Sequence, residues 1–175
     1  AGHKKRHAVA DGYDREDTLG YLRNADSQDI DLLFQWANER TVRKNAFSPA
    51  EITYEEHCRW FAQILAREDA RQYIFICEEE PVGQIRVTVE GSKAVIGYSI
   101  CPEKRCQGYG KEMVHLLIEQ VKKDFPSVET LAAKVKPDNI ASQKVFLDMG
   151  YAYKYNAYEL DLNLASQPII LQQST

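Results

Sequence analysis

Arg105-Cys106-Gln107-Gly108-Tyr109-Gly110, followed by Lys111, is the segment whose residue types and spacing carry the clearest chemistry. It stands where a strand pattern ends and helical spacing begins. A helix opening near Gly108 exposes several unpaired backbone N–H groups in its first turn. With the positive end of the helix dipole, they form an anion site that needs no side chain. Gly108 and Gly110 remove Cβ atoms where a diphosphate must approach the main chain. Arg105 and Lys111, with Lys104, place positive charge near its outer oxygens. The plain alternative is a surface helix that two glycines and some basic residues happen to open. The pattern is not the phosphate loop G-x-x-x-x-G-K-[ST], because neither the spacing nor the residue after Lys matches. Nor is it the dinucleotide fingerprint, which needs the first strand of a βαβ unit and an acidic residue about 20 positions on.

A second half-motif runs from Val135 and Lys136-Pro137-Asp138 through Asn139, Ser142 and Phe146 to Gly150-Tyr151. It reads as a strand end, a polar turn, a helix and a glycine stop. Asn139 and Ser142, three apart, share the face at the start of that helix. Asn139 also suits a helix cap.

The elements that must position these residues follow from periodicity. Strands are predicted at 19–23, 72–78, 82–89, 94–101, 130–135, 151–155 and 157–162. Helices are predicted at 27–38, 53–67, 108–125 and 139–149. The first should bury Ile30, Leu33, Phe34 and Ala37. The second opens on a capping box, Thr53 with Glu56, and aligns His57, Trp60, Phe61 and Ile64. The third keeps Met113, Val114, Leu117, Ile118, Val121 and Phe125 on one face. Residues 40–52 read as irregular, with Ser48-Pro49 as a turn. The order is a mixed α/β layer structure. The expected division is a polar arm or linker at 1–17, one domain at 18–163 and a tail at 164–175.

Composition bounds the function. The chain has 175 residues, enough for one sizeable core. A formal net charge of −4 argues against a nucleic-acid partner. No run of about 18 apolar residues is present, so no membrane span is expected, and the N-terminus lacks the apolar core of a secretory signal. Cys58, Cys77, Cys101 and Cys106 form no CxxC pair, which suggests neither metal nor redox chemistry. Reduced thiols in a cytoplasmic protein are the expectation.

Taken together, the two half-motifs resemble motifs A and B of the GNAT superfamily of acyl-CoA N-acyltransferases. The resemblance rests on a strand ending in Cys101-Pro102, the R-x-x-G-x-G loop, and N-x-x-S-x-x-x-F-x-x-x-G-Y about 30 residues on, and it extends over roughly residues 19–162. It implies a single-domain GNAT fold, a mixed and mostly antiparallel sheet of about seven strands with four main helices. It also implies acetyl-CoA as cosubstrate, no metal, and direct transfer to an amine. The strand before the loop would splay from its neighbour near a bulge and expose an edge to pantetheine. Ser99, Ile100 and Cys101 would then meet the cofactor. Residues Arg105, Cys106, Gln107, Gly108, Tyr109, Gly110 and Lys111 would hold the pyrophosphate, and Asn139, Ser142 and Phe146 would line the pantetheine and adenine side.

Such chemistry needs a polarised thioester carbonyl, a deprotonated amine and a proton for the departing thiolate. The family commonly places that last donor on a Tyr where this chain has Phe146. Tyr98 or Tyr158 could replace it, as could Tyr151 or Tyr155, although each also suits a core or edge position. His57, Glu78 and Glu80 are candidate bases, and an amine already neutral in the pocket would need none.

The N-terminal third resembles the amino-sugar N-acetyltransferases of pseudaminic acid biosynthesis, which act on the 4-amino group of a UDP-linked dideoxy sugar. Arg43, Lys44, His57, Trp60 and Arg86 would then serve a nucleotide-sugar acceptor with cations and an aromatic face. The plain alternative places Trp60 and Phe61 in the core, His57 as a partly buried helix residue and Arg43 in solvent. In some bacteria this domain follows a nucleotide-sugar hydrolase, and residues 1–17 would suit such a junction. Two further readings stay open: an acetyltransferase for a protein N-terminus, like those acting on ribosomal proteins, and a CoA-binding module without catalysis. Monomer and homodimer are both compatible.

Overall fold

The computed structural model describes residues 20–154 and 157–163. The expected arm at 1–17, Leu19, Tyr155 and the tail at 164–175 lie outside the described residues. The chain opens with β1 (Gly20–Asn24), a single 3-10 turn and α1 (Ile30–Ala37). Asp26 starts that turn by accepting from the Gln28 N–H at 2.8 Å, and Asp29 returns to the Asp26 N–H at 2.9 Å. Both amino groups of the Arg23 guanidinium hold the Asp29 carboxylate, at 2.7 and 2.8 Å, so this buried acid is neutralised. α1 buries Leu33 of the predicted face and leaves Ile30, Phe34 and Ala37 half-buried; the other buried residue is Trp36, which packs with Phe61, Ile74 and Ile76.

α2 (Arg40–Asn45) occupies part of the stretch expected to be irregular. It buries no residue, so no apolar periodicity marks it. Instead the Glu39 carboxylate caps it, accepting from the N–H groups of Thr41 at 3.0 Å and Val42 at 3.2 Å. α3 (Tyr54–Ala66) opens on the predicted capping box, with the Thr53 N–H 2.9 Å from Glu56 and the Glu56 N–H 3.2 Å from the Thr53 hydroxyl.

β2 (Ala70–Cys77), β3 (Glu80–Glu90) and β4 (Lys93–Ile100) form the meander. Glu78 and Glu79, both at positive φ, make the two-residue turn that matches strand twist. α4 (Tyr109–Asp124), β5 (Thr130–Lys134), α5 (Ile140–Asp148), β6 (Ala152–Lys154) and β7 (Ala157–Asp161) complete the domain. The seven strands lie in the order β1-β2-β3-β4-β5-β7-β6, antiparallel except for the β4–β5 pair. The expected mixed α/β sheet with four main helices is therefore the observed architecture, with α2 as an addition.

Strand alternation builds two cores. On one face Tyr73, Phe75, Ile85, Val87, Ala94 and Ile96 meet Met113, Val114, Leu117, Ile118 and Val121 of α4 and Phe146 of α5. On the other, Ile74, Ile76 and Cys101 meet Leu33, Trp36 and Phe61. Among the described residues no helix is long and apolar enough to cross a membrane.

Candidate active site

The sheet parts in its centre. β4 pairs with β5 only from Lys93 to Ile96, opposite Thr130 to Ala133, while its pairing with β3 continues to Ile100. Among the described residues the bulge expected here is absent from this pair; a register shift lies instead between Phe75 and Ile76 in β2, against β3. Cys101 donates its N–H to Val82 on the β3 side at 2.9 Å. Because alternate residues of a strand aim their amides the same way, Ser99 and Gly97 also face β3, and Tyr98 and Ile100 face the gap. The Ile100 carbonyl accepts from Arg105 Nε at 3.1 Å. Among the described residues, the Tyr98 N–H and carbonyl and the Ile100 N–H are left without a strand partner.

This corrects the expectation for the strand end. Ile100 does present an N–H to the gap, but both main-chain groups of Cys101 are taken, by Val82 and by the Lys104 N–H at 3.0 Å. The Ser99 side chain turns to the α1/α3 face, where its hydroxyl accepts from Gln84 Nε2 at 3.0 Å. Tyr98, which sequence alone marked only for its hydroxyl, supplies the exposed amide as well.

At the mouth of the gap stands the start of α4. Gly108 caps it with φ 89°, a left-handed conformation that a side chain would strain, and a Cβ there would meet no atom within 4 Å. The first helical hydrogen bond is from the Glu112 N–H to Gly108, so the N–H groups of Tyr109, Gly110 and Lys111 stay free for an anion. The Tyr109 ring itself is buried against Phe75. Cys106, at φ 59°, and Gln107 are exposed in the loop, and Gln107 Nε2 donates to the Glu103 carbonyl at 3.1 Å.

The cations predicted beside this loop are largely committed elsewhere. Arg105 extends to Glu39 at 2.5 Å as well as to Ile100, so it ties α2 to the loop. Lys111 pairs with Asp148 and joins α4 to α5. Lys104 lies 3.4 Å from Glu80, which leaves neither Glu80 nor the exposed turn residue Glu78 placed as a base at the gap. Burial works against the Glu39 carboxylate, yet its bonds to Arg105, Thr41 and Val42 and the Arg105 charge outweigh it and hold its pKa at about 2. Sequence offered no cue for Glu39, since its partner is 66 positions away.

α5 closes the other side. The Asn139 side chain caps it by accepting from the Ser142 N–H at 3.2 Å. The Ser142 hydroxyl accepts from the Tyr98 hydroxyl, also at 3.2 Å. A Cβ on Gly110 would lie 3.6 Å from the Tyr98 ring, so Tyr98 sits between both helix starts. Burial pushes the Tyr98 hydroxyl above its ordinary pKa, with Ser142 offsetting part of the rise. It is thus a proton donor across the neutral range.

Phe146 is 2% exposed, set edge-on against Tyr98 and stacked on Tyr158, so it belongs to the core rather than to a cofactor-lining surface. Tyr158 is likewise buried, which removes it as a ready acid. Tyr151 is fully enclosed, and its hydroxyl is a buried polar atom without a hydrogen-bond partner.

Two acceptor-side expectations are also corrected. His57 is 2% exposed among Phe34, Trp60 and Phe61, with Nε2 2.9 Å from the Ile30 carbonyl. That contact makes Nε2–H the donor, and the ring fastens α3 to α1 instead of acting as a base or touching substrate. Arg43 donates to the carbonyls of Ala37 at 2.6 Å and of Ser48 and Ala50, both at 3.1 Å, and so staples the loop after α2. Lys44 is exposed, and its carbonyl accepts from Lys136 at 2.8 Å, which anchors the end of α2 beside the end of β5. Trp60 and Arg86, in contrast, lie together on the open part of the α1/α3 face, 5.1 Å apart.

Free donors at the α4 start and a free amide edge on β4 fit the diphosphate and the amide-bearing arm of an acyl-CoA. A profile described as Acetyltransferase (GNAT) domain matches residues 21–152. The acetyltransferase PseH of Campylobacter jejuni subsp. jejuni serotype O:23/36 (strain 81-176) is 25% identical over 121 residues, 69% of this chain and 74% of that protein. Spermidine N-acetyltransferase from Vibrio cholerae, solved with CoA and spermine, superposes with a TM-score of 0.78 at 10% identity, over 86% of this chain and all of that one. The ribosomal L7/L12 alpha-N-protein acetyltransferase RimL, solved with CoA, gives 0.68 at 20% identity, over 83% and 95%. With the parted sheet, the open α4 start and a profile match spanning most of the domain, the chain belongs to the GNAT family as an acetyl-CoA-dependent N-acetyltransferase.

Proposed function

We propose that the acceptor is the 4-amino group of a UDP-linked dideoxy amino sugar. The observation that carries this reading is the likeness to PseH, 25% identity over 69% of the chain. In this reading the N–H groups of Tyr109, Gly110 and Lys111 bind the diphosphate of acetyl-CoA, which donates the acetyl group. The Tyr98–Ile100 edge aligns the cofactor's amides, and the Tyr98 N–H polarises the thioester carbonyl. The Tyr98 hydroxyl takes the proton-donor role that Phe146 cannot fill, with Ser142 holding it in place. The amine attacks from the α1/α3 face in its neutral form, and the proton its nitrogen loses restores the Tyr98 hydroxyl that protonated the thiolate, so no separate side chain is assigned as base.

Thiol release from acetyl-CoA, measured with a UDP-4-amino-dideoxy sugar, a free N-terminal peptide and a polyamine, tests the proposal. The sugar alone should accelerate release. Acceleration by the peptide alone would replace the sugar with a protein N-terminus. CoA binding with no acceleration by any amine would overturn catalysis itself.

A further inference from the structure

On the α1/α3 face of the sheet, three polar side chains form a ladder across β2, β3 and β4. Gln72 Nε2 donates to Gln84 at 2.6 Å, and Gln84 Nε2 donates to the Ser99 hydroxyl at 3.0 Å. One residue pair along, Arg86 stands opposite Gly97 in the β3–β4 register, next to the point where β4 and β5 part. Gly97 has no side chain to cover the guanidinium, and Arg86 Nη2 is 3.9 Å from where its Cβ would be. Trp60 covers the other side, with the guanidinium carbon 5.1 Å from its ring centroid.

Arg86 is the odd member of this surface. Among the described residues it forms no ion pair and no hydrogen bond, whereas Arg23, Arg67 and Arg105 each hold a carboxylate. Its charged neighbour is another cation, Arg67, whose own partner Asp69 is 2.8 Å away. Burial and Arg67 both pull the Arg86 pKa down, the mark of a cation that lacks its anion. A half-buried guanidinium with five donors and no acceptor is costly to keep unless something outside the chain satisfies it.

We infer that Arg86, backed by Trp60 and uncovered at Gly97, is a specificity-determining residue that holds a phosphate or carboxylate carried by the acceptor close to its amine. The acceptor class is then an anionic amine, and polycations are disfavoured because their charge would meet Arg86 first. This deepens the acetyl-transfer reading of the β4 edge but does not depend on the acceptor being a UDP sugar. The Ser99 hydroxyl, held by the glutamine ladder, lies two residues along the same strand face, where the amine must arrive to reach the gap.

Matched pairs of acceptors test this: an amino-sugar 1-phosphate against its uncharged methyl glycoside, and an amino acid against its amide. With wild type, one anionic member should exceed its mate in kcat/KM by ~10- to 100-fold, and the pair that responds tells phosphate from carboxylate. Arg86→Gln should collapse that ratio through acceptor KM, leave the KM for acetyl-CoA unchanged, and be partly rescued by Arg86→Lys. If Arg86→Gln does not fold, Gly97→Ala crowds the same approach and should lower the same ratio. Equal turnover within both pairs, or equal loss of both members in the variants, overturns the inference. UDP-sugar turnover that Arg86→Gln leaves intact would keep the proposed acceptor and sink the role of Arg86. The reverse result, a response confined to the amino acid pair, would keep Arg86 and sink the sugar.

Discussion

At the scale of single residues, Tyr98 carries the most weight, because the proposed mechanism gives each of its two ends a step. Its N–H lies at the first unpaired position of β4, and its hydroxyl reaches Ser142 at 3.2 Å. Burial raises the hydroxyl pKa, so the group holds its proton through neutral pH and is still protonated when a thiolate departs beside it. Tyr98→Phe keeps the amide and the ring contact with Phe146 but removes the proton. Its kcat should fall by ~10²-fold with acetyl-CoA KM little changed. Steady-state kinetics across pH would check this, and an unchanged kcat would pass the role to another donor. Phe146 shows why a motif position alone misleads: the match placed it correctly in α5, yet the Tyr98 and Tyr158 rings enclose it.

At the scale of elements, α2 is a strap fastened at both ends. Glu39 and Arg105 hold its start to the loop before α4, while Lys136 holds its end to the strand β5 leaves. The Glu39 pKa is depressed from an ordinary 4.5 to about 2. A lowered folded-state value means stability that is fully present above pH 4.5 and is lost as pH falls toward 2. Glu39→Ala should therefore cost ~1–2 kcal/mol near neutral pH, through the lost cap and ion pair. The gap between variant and wild type should close as pH approaches 2, as denaturant unfolding at several pH values would record. A gap independent of pH would assign the cost to packing alone. α2 has no buried residue, so these polar ties are what hold it.

At the scale of the molecule, the parted β4–β5 pair divides the sheet into a four-strand part, β1 with the meander, and a three-strand remainder, bridged by α4 and α5. A cofactor seated along the gap touches both parts, so its binding adds directly to the stability of the whole fold. At 100 times its Kd, acetyl-CoA should stabilise the protein by ~2.7 kcal/mol, raising Tm by several degrees. Thermal unfolding with and without acetyl-CoA measures this. No shift at any ligand concentration would mean that acetyl-CoA does not bind the folded chain. The formal net charge of −4 gives no global attraction for such an anion, so local donors at the α4 start must supply it.

The sequence by itself determined the strands and the four main helices, because periodicity reports burial directly, while α2, which buries nothing, left no such trace. The α4 stripe, the α3 capping box and both half-motifs are all found where spacing placed them. Gly108 was legible for a similar reason, since a glycine before a helical pattern marks a backbone that others avoid. What only the tertiary structure decided was the fate of the polar side chains. His57, Arg43 and Arg105 all had the right chemistry for a site, and each spends it on a main-chain carbonyl or a distant carboxylate. A charged group goes to whichever partner the fold brings within about 3 Å, and sequence separation does not encode that distance. Arg86 is the converse case: among the described residues the fold brings it no partner, and that is the ground on which an ordinary strand arginine is inferred to be a determinant of the acceptor.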